Sequence, residues 1–162
     1  MDAGEFDEVE FFRAIADSGA RALLIGRRAL IVLGIPVLTS DYDLWLHRDD
    51  AEVLNGAVAR FGLVPTRSPE AARQAGRYVL ENSERVDVLV ARGVSTVSGE
   101  LVTFDGVWGR RQVVELAPGI SIALPELSDL IATKRFAARP KDVEDIRLLE
   151  VLRAGAAKEP PS

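Results

Sequence analysis

Leu23-Leu24-Ile25-Gly26-Arg27-Arg28-Ala29, and then Thr39-Ser40-Asp41-Tyr42-Asp43-Leu44-Trp45-Leu46, are the two runs whose reading decides the fold of this chain. The first is an apolar strand that ends in a glycine. A short, almost wholly apolar helix follows over residues 29–33, and Gly34 and Pro36 turn the chain. The second run opens with two carboxylates two positions apart and continues as a strand. Side chains at i and i+2 of a strand leave the same face, so Asp41 and Asp43 point together while Tyr42, Leu44 and Leu46 point the other way. Carboxylates held side by side repel unless a cation lies between them, and oxygen-only ligands suit Mg²⁺ or Mn²⁺. Gly26 is either a tight strand-to-helix turn or a point of close backbone approach to a ligand.

Outward from this core, residues 85–90 form a strong strand with Val86, Val88 and Val90 on one face and Arg85, Asp87 and Leu89 on the other. An aspartate inside such a strand is disfavoured by propensity and needs compensation: solvent on an exposed face, a partner such as Arg85 or Arg92, or a shared site. Residues 6–17 have the apolar spacing of an amphipathic helix, stopped at Ser18-Gly19. Asp49-Asp50 opens another helix over 51–61. Residues 68–75 read as a short helical or loop piece and 77–80 as a strand. Gly93, Gly99, Gly106 and Gly109 break residues 91–119 into loop and short β structure, where Phe104, Val107 and Trp108 are placed to line a base pocket or, as is commoner, to fill the core.

Pro125 at a first helical position starts a helix that ends before Pro140. In it Lys134 lies four residues from Leu130 and seven from Leu127, on the buried stripe. A lysine there either snorkels to solvent or reaches a site that holds negative charge. A last helix spans 141–153 and is opened by Asp142, which the helix dipole favours. Residues 1–153 therefore read as one domain and 154–162 as a disordered tail.

Composition narrows the chemistry. A chain of 162 residues with 48% hydrophobic and 28% charged residues is that of an ordinary globular domain. No apolar run approaches the roughly 20 residues a membrane span needs, and the acidic N-terminus lacks a signal-peptide layout. With no cysteine there are no disulfides or thiolate metal sites, and a cytoplasmic location is expected. A net charge of −5, from 20 basic and 25 acidic residues, argues against a broad nucleic-acid-binding face but leaves room for a local basic strip. The single histidine, His47, makes a Ser-His-Asp triad improbable and reads as a strand-end surface residue. The hard chemistry left to this chain is that of carboxylates.

The order of apolar strand, Gly-x-x-Ala, short helix, Gly, Thr-x-Asp-x-Asp and apolar strand resembles the signature of the nucleotidyltransferase (polymerase-β-like) superfamily, and within it small bacterial proteins related to abortive-infection-type nucleotidyltransferase toxins. The resemblance runs to Leu124-Pro125-Glu126-Leu127, Lys134, Arg139-Pro140-Lys141-Asp142 and Asp145, covering residues 20–152. Two positions depart from it: Gly26-Arg27 stands where relatives carry Gly-Gly or Gly-Ser, and Val37 where many carry arginine. The resemblance implies an α/β (α+β) fold, a small mixed β-sheet with flanking helices and a C-terminal helical pair. It also implies transfer of a nucleoside monophosphate from an NTP to a hydroxyl acceptor (RNA, tRNA included, protein or small molecule), with an antitoxin protein as a candidate partner. Asp41, Asp43 and Asp87 are then the catalytic, metal-holding carboxylates for Mg²⁺ or Mn²⁺. Gly26, Arg27, Arg28 and Lys134 are the nucleotide-binding residues. The rival expectation is an inactive nucleotidyltransferase-like module that binds a nucleotide or a protein, for which a bulky Arg27 closing the pocket is the motive.

Overall fold

The computed structural model describes residues 6–96, 99–134 and 140–158. An N-terminal helix, α1 (Glu8–Ser18), is capped by Asp7, whose carboxylate accepts from the Glu10 N–H. It leads to β1 (Ala22–Ile25), α2 (Gly26–Val32) and β2 (Tyr42–Leu46). Next come α3 (Ala51–Val58), β3 (Val64–Pro65), α4 (Pro69–Ala75), β4 (Arg77–Glu81) and β5 (Arg85–Leu89). Two hairpins follow, β6 (Gly93–Ser95) with β7 (Leu101–Thr103), and, after α5 (Phe104–Gly109), β8 (Gln112–Ala117) with β9 (Ile120–Leu124). The last described elements are α6 (Leu127–Lys134) and α7 (Pro140–Lys158), packed on each other.

The central sheet has the order β1-β2-β5-β4-β3, with β2 and β5 parallel and the other neighbours antiparallel. It is the small mixed sheet with flanking helices that the sequence implies. Strand alternation sorts its residues onto two faces. Leu24, Tyr42, Leu44, Leu46, Tyr78, Leu80, Val86 and Val88 join the main core, which α1, α3 and β9 cover. The other face is covered only in part. There Leu23 and Trp45 pack with Val102, Phe104 and Val107 in a second, smaller cluster, and the Trp45 indole N–H is satisfied by the Ala91 carbonyl at 2.9 Å. The rest of that face, towards the start of β2, is left open.

Several element boundaries differ from the sequence reading, among them the start of α6, at Leu127 rather than Pro125. The helix after β1 starts at Gly26 itself, with no intervening turn residue. Within residues 91–119, α5 forms where loop and strand were expected: Thr103 caps it by accepting from the Gly106 N–H, and Phe104 and Val107, three apart, bury one side. The last helix continues to Lys158, five residues beyond its expected end at 153. Alanine is the best helix former and Ala154, Ala156 and Ala157 outweigh the roughly 1 kcal/mol cost of Gly155. The remainder of the expected tail, residues 159–162, lies outside the described residues. His47 does more than end a strand: its Nδ1 accepts from the Asp49 N–H and caps the single 3-10 turn before α3.

Candidate active site

Parallel pairing of β2 with β5 sets Asp43 directly opposite Asp87. Residues in register on neighbouring strands show their side chains on the same face, and both carboxylates line one open cleft of about 580 Å³ on the uncovered part of the sheet. At strand spacing of roughly 5 Å two such carboxylates repel by about 1–4 kcal/mol, the lower value applying where water reaches them. Water reaches Asp87, whose side chain is 42% exposed and held by Arg85, two residues earlier on the same face, at 3.2 Å. Asp43 is half-buried.

Gly26 stands against this pair. Its φ of +70° is in the left-handed region, and a Cβ built on it would lie 2.5 Å from Asp43 Oδ2. Gly26 is therefore the strand-to-helix turn of the first reading, and what lies against its backbone is the aspartate of the next strand. Pairing of Ile25 with Asp43 across β1 and β2 explains the approach.

Asp41 is placed differently. It precedes β2, is exposed, and its N–H donates to Thr39 Oγ1 at 3.0 Å. Strand pairing begins at Tyr42 and does not reach Asp41, which is not among the residues that line the cleft. Among the described residues no three His, Asp or Glu side chains are grouped so as to hold a metal ion. The structure thus brings two of the three expected carboxylates together. The donor set still fits Mg²⁺, which is commonly held by one or two carboxylates together with substrate phosphates.

The two arginines after Gly26 are engaged away from the cleft. Arg27 Nε donates to Asp145 Oδ2 at 3.1 Å, Nη2 lies 3.1 Å from Asp145 Oδ1, and Nη1 reaches the Leu38 carbonyl at 3.3 Å. The Asp145 side chain is 0% exposed, so this pair ties α2 to α7 in the interior. Arg28 donates to the carbonyls of Asp41 and Thr39, both at 3.3 Å, lies 3.4 Å from Glu8, and stacks over the Tyr42 ring at 4.1 Å. It braces the backbone just ahead of β2. Lys134 is the last residue of α6; its side chain, like Arg139 in the quoted motif, lies outside what is described.

The far wall of the cleft is one the sequence reading missed. Arg67, Arg77 and Thr66 line it, with Arg85 at the other end. The Arg67 guanidinium donates to the Arg77 carbonyl at 2.7 Å, and Thr66 Oγ1 accepts from the Val79 N–H at 3.0 Å. Arg77 and Val79 alternate with buried Tyr78 and Leu80. That pattern tells which face Arg77 takes, but only the β4–β5 pairing tells that the face is the one carrying Asp87.

No protein-family model matches this chain, and no curated protein matches it. Solved structures do. The chain is similar to the antibiotic-resistance factor ANT(2'')-Ia, at a TM-score of 0.60 and 15% identity, over 91% of this chain and 88% of that one. It is also similar to a Thermotoga maritima protein, TM1012, put forward as a nucleotidyltransferase, at a TM-score of 0.54 and 13% identity, over 93% and 90% of the two chains. At these identities the likeness concerns the fold alone. No helix among the described residues is long and apolar enough to cross a membrane.

Proposed function

We propose that this chain transfers a nucleoside monophosphate from an NTP to a hydroxyl acceptor, releasing pyrophosphate. The observation that carries the reading is the register pair Asp43–Asp87 facing one open cleft, with the Gly26 backbone pressed against Asp43. Asp43 and Asp87 are the residues that would hold Mg²⁺ or Mn²⁺, with Asp41, two residues upstream, as the third candidate. The metal, when bound, screens the phosphate charge and lowers the pKa of an attacking hydroxyl. Asp87 is the candidate to accept the proton of that hydroxyl as its oxygen attacks the α-phosphorus and the bond to pyrophosphate breaks. Lys134 is the candidate for the charge that builds on the leaving pyrophosphate. Arg27 and Arg28 serve the site by fixing α2 and the segment ahead of β2, the roles their contacts support.

Isothermal titration of the full chain with each NTP, with and without Mg²⁺, followed by a radiolabelled transfer assay, tests this. Metal-dependent NTP binding lost in Asp43→Asn and Asp87→Asn is the expected result. Metal-independent binding with no transfer to any acceptor would favour a second reading, a binding module of nucleotidyltransferase shape. That reading draws on the position of Asp41 outside the pair. A toxin role with an antitoxin partner belongs to the proposal through the abortive-infection resemblance alone, and a cytoplasmic location through the lack of cysteine.

A further inference from the structure

We propose that the open edge of β8 joins two copies of this chain, β8 pairing antiparallel with β8 of the second copy about a twofold axis at Val113. Among the described residues β8 pairs with β9 on one side and with no strand on the other. A free edge offers a row of backbone N–H and C=O groups to another strand, and folds usually blunt it with charges, proline or a bulge. β8 is blunted only at its end, where the register slips between Glu115 and Ala117 ahead of Pro118. Before that slip, residues 112–115 stand in regular register with β9, so the outer edge there is straight enough to take a strand.

The outer face of β8 is apolar at its centre and charged at its ends. Arg111, Val113 and Glu115 are exposed and alternate with half-buried Gln112, Val114 and Leu116; Val113 is 61% exposed. Val113 lines an apolar groove of about 280 Å³ together with Ile15 and Ala16 of α1, Trp108, and Ala123, its neighbour on β9. The Arg111 guanidinium stacks over the Trp108 ring at 4.0 Å and gives one hydrogen bond to the Trp108 carbonyl at 2.9 Å. It therefore stands at the rim of the same groove, with the rest of its donor fork unbonded among the described residues. The groove shares no lining residue with the Asp43–Asp87 cleft, so this pairing and the transfer reading stand or fall separately.

Charge decides both the occupant and the register. Residues directly opposite across an antiparallel pair show their side chains on one face. With the axis at Val113, Arg111 opposes Glu115 of the second copy, Glu115 opposes its Arg111, and the two Val113 side chains meet between them. An axis at Gln112 sets Arg111 against Val113, and one at Val114 sets Glu115 against Val113; either leaves both charges unmatched. Among the described residues neither Arg111 nor Glu115 has an ion-pair partner, and Glu115 accepts only the Gly119 N–H, at 3.3 Å. A strand that suits this edge must carry an acid and a base four residues apart around an exposed apolar residue. The chain supplies that strand itself, and a twofold axis repeats each contact.

The test is sedimentation velocity of the full chain over a concentration series, with Val113→Lys, Arg111→Glu and Glu115→Arg beside the parent. The parent is expected to pass from one chain to two as concentration rises. Val113→Lys sets two ammonium groups against each other at the axis and should sediment as one chain. Arg111→Glu and Glu115→Arg each oppose like charges twice and should weaken self-association by roughly tenfold or more. Mixed in equal amounts, these two variants become complementary at both ends of the edge. The mixture should form a dimer of one of each, about as tight as the parent dimer, which two misfolded variants could not do. A parent that still sediments as one chain at about 1 mM overturns the inference. So does a parent dimer that any of the three variants keeps at parental strength, because its interface then lies elsewhere. A mixture no more associated than its two components overturns it as well.

Discussion

Gly26 is the residue on which the candidate site turns, because two separate demands meet there. Its backbone is left-handed, which costs a residue with a Cβ about 1–2 kcal/mol, and the space a Cβ would take is held by Asp43 Oδ2 at 2.5 Å. Gly26→Ala is expected to destabilise the fold by at least that amount in urea unfolding, and to displace Asp43, so that Mg²⁺-dependent NTP binding falls more than stability does. A melt unchanged from the parent would mean that the strand-to-helix turn relaxes freely. Asp50 gives a second residue-level test, remote from the cleft. Its carboxylate takes hydrogen bonds from the Arg21 side chain at 2.8 and 2.9 Å and from the Arg21 N–H at 2.8 Å. Bonding to Arg21 holds its pKa below the ordinary 3.8 against the opposing effect of burial. A depressed folded-state pKa stabilises the fold fully above the unfolded value, and that contribution is lost as pH falls through the depressed one. Asp50→Asn should therefore lower stability at pH 7, and the gap to the parent should close as pH drops below 3.8, followed by urea unfolding at each pH.

Between elements, the link that matters most is α2 to α7 through Arg27 and Asp145. A carboxylate with no exposed surface depends on its partner, and removing one member of a buried pair costs about 3–5 kcal/mol. Arg27 is itself partly solvated and Asp145 has a further interaction, which places Arg27→Ser at the lower end, about 3 kcal/mol by chemical denaturation. Its direct effect on NTP affinity, measured well below the melting temperature, should be small. Tighter NTP binding in the serine variant would show instead that the arginine obstructs the pocket. The departure from Gly-Gly or Gly-Ser at this position thus has a structural account: the side chain turns away from the cleft and pins the C-terminal helix to the helix that begins at the site. An equivalent tie, Arg110 to Asp129 at 2.9 and 3.0 Å, joins α5 to α6.

For the molecule as a whole, metal and nucleotide should act on stability through the cleft. A ligand that binds only the folded state stabilises it by about 2.7 kcal/mol at a hundred times its dissociation constant. NTP with Mg²⁺ is expected to raise the melting temperature, EDTA to abolish the rise, and Asp43→Asn/Asp87→Asn to show none. A shift that survives in this variant would place nucleotide binding elsewhere on the fold.

By itself the sequence determined the elements around the site. β2 apart from its start, nearly all of β5, the helix after Asp49-Asp50 and the glycine between strand and helix follow from period-2 alternation, capping residues and turn chemistry, all local properties of the chain. It also singled out Asp87, because a charged residue inside an apolar strand is anomalous whatever surrounds it. Tertiary structure decided which charges meet. The pairing of β2 with β5 put Asp43 beside Asp87, and the end of regular strand at Tyr42 left Asp41 out of the pair. The Arg27 side chain was drawn to an aspartate 118 positions along the chain, and the placing of β4 next to β5 carried Arg77 into the cleft. Each of these depends on contacts between residues far apart in sequence, and no local pattern encodes them. α5 was lost in the glycine-rich stretch for a related reason: its six residues gain their helix from burying Phe104 and Val107 against Leu23 and Trp45, and tertiary packing rather than propensity stabilises a helix that short.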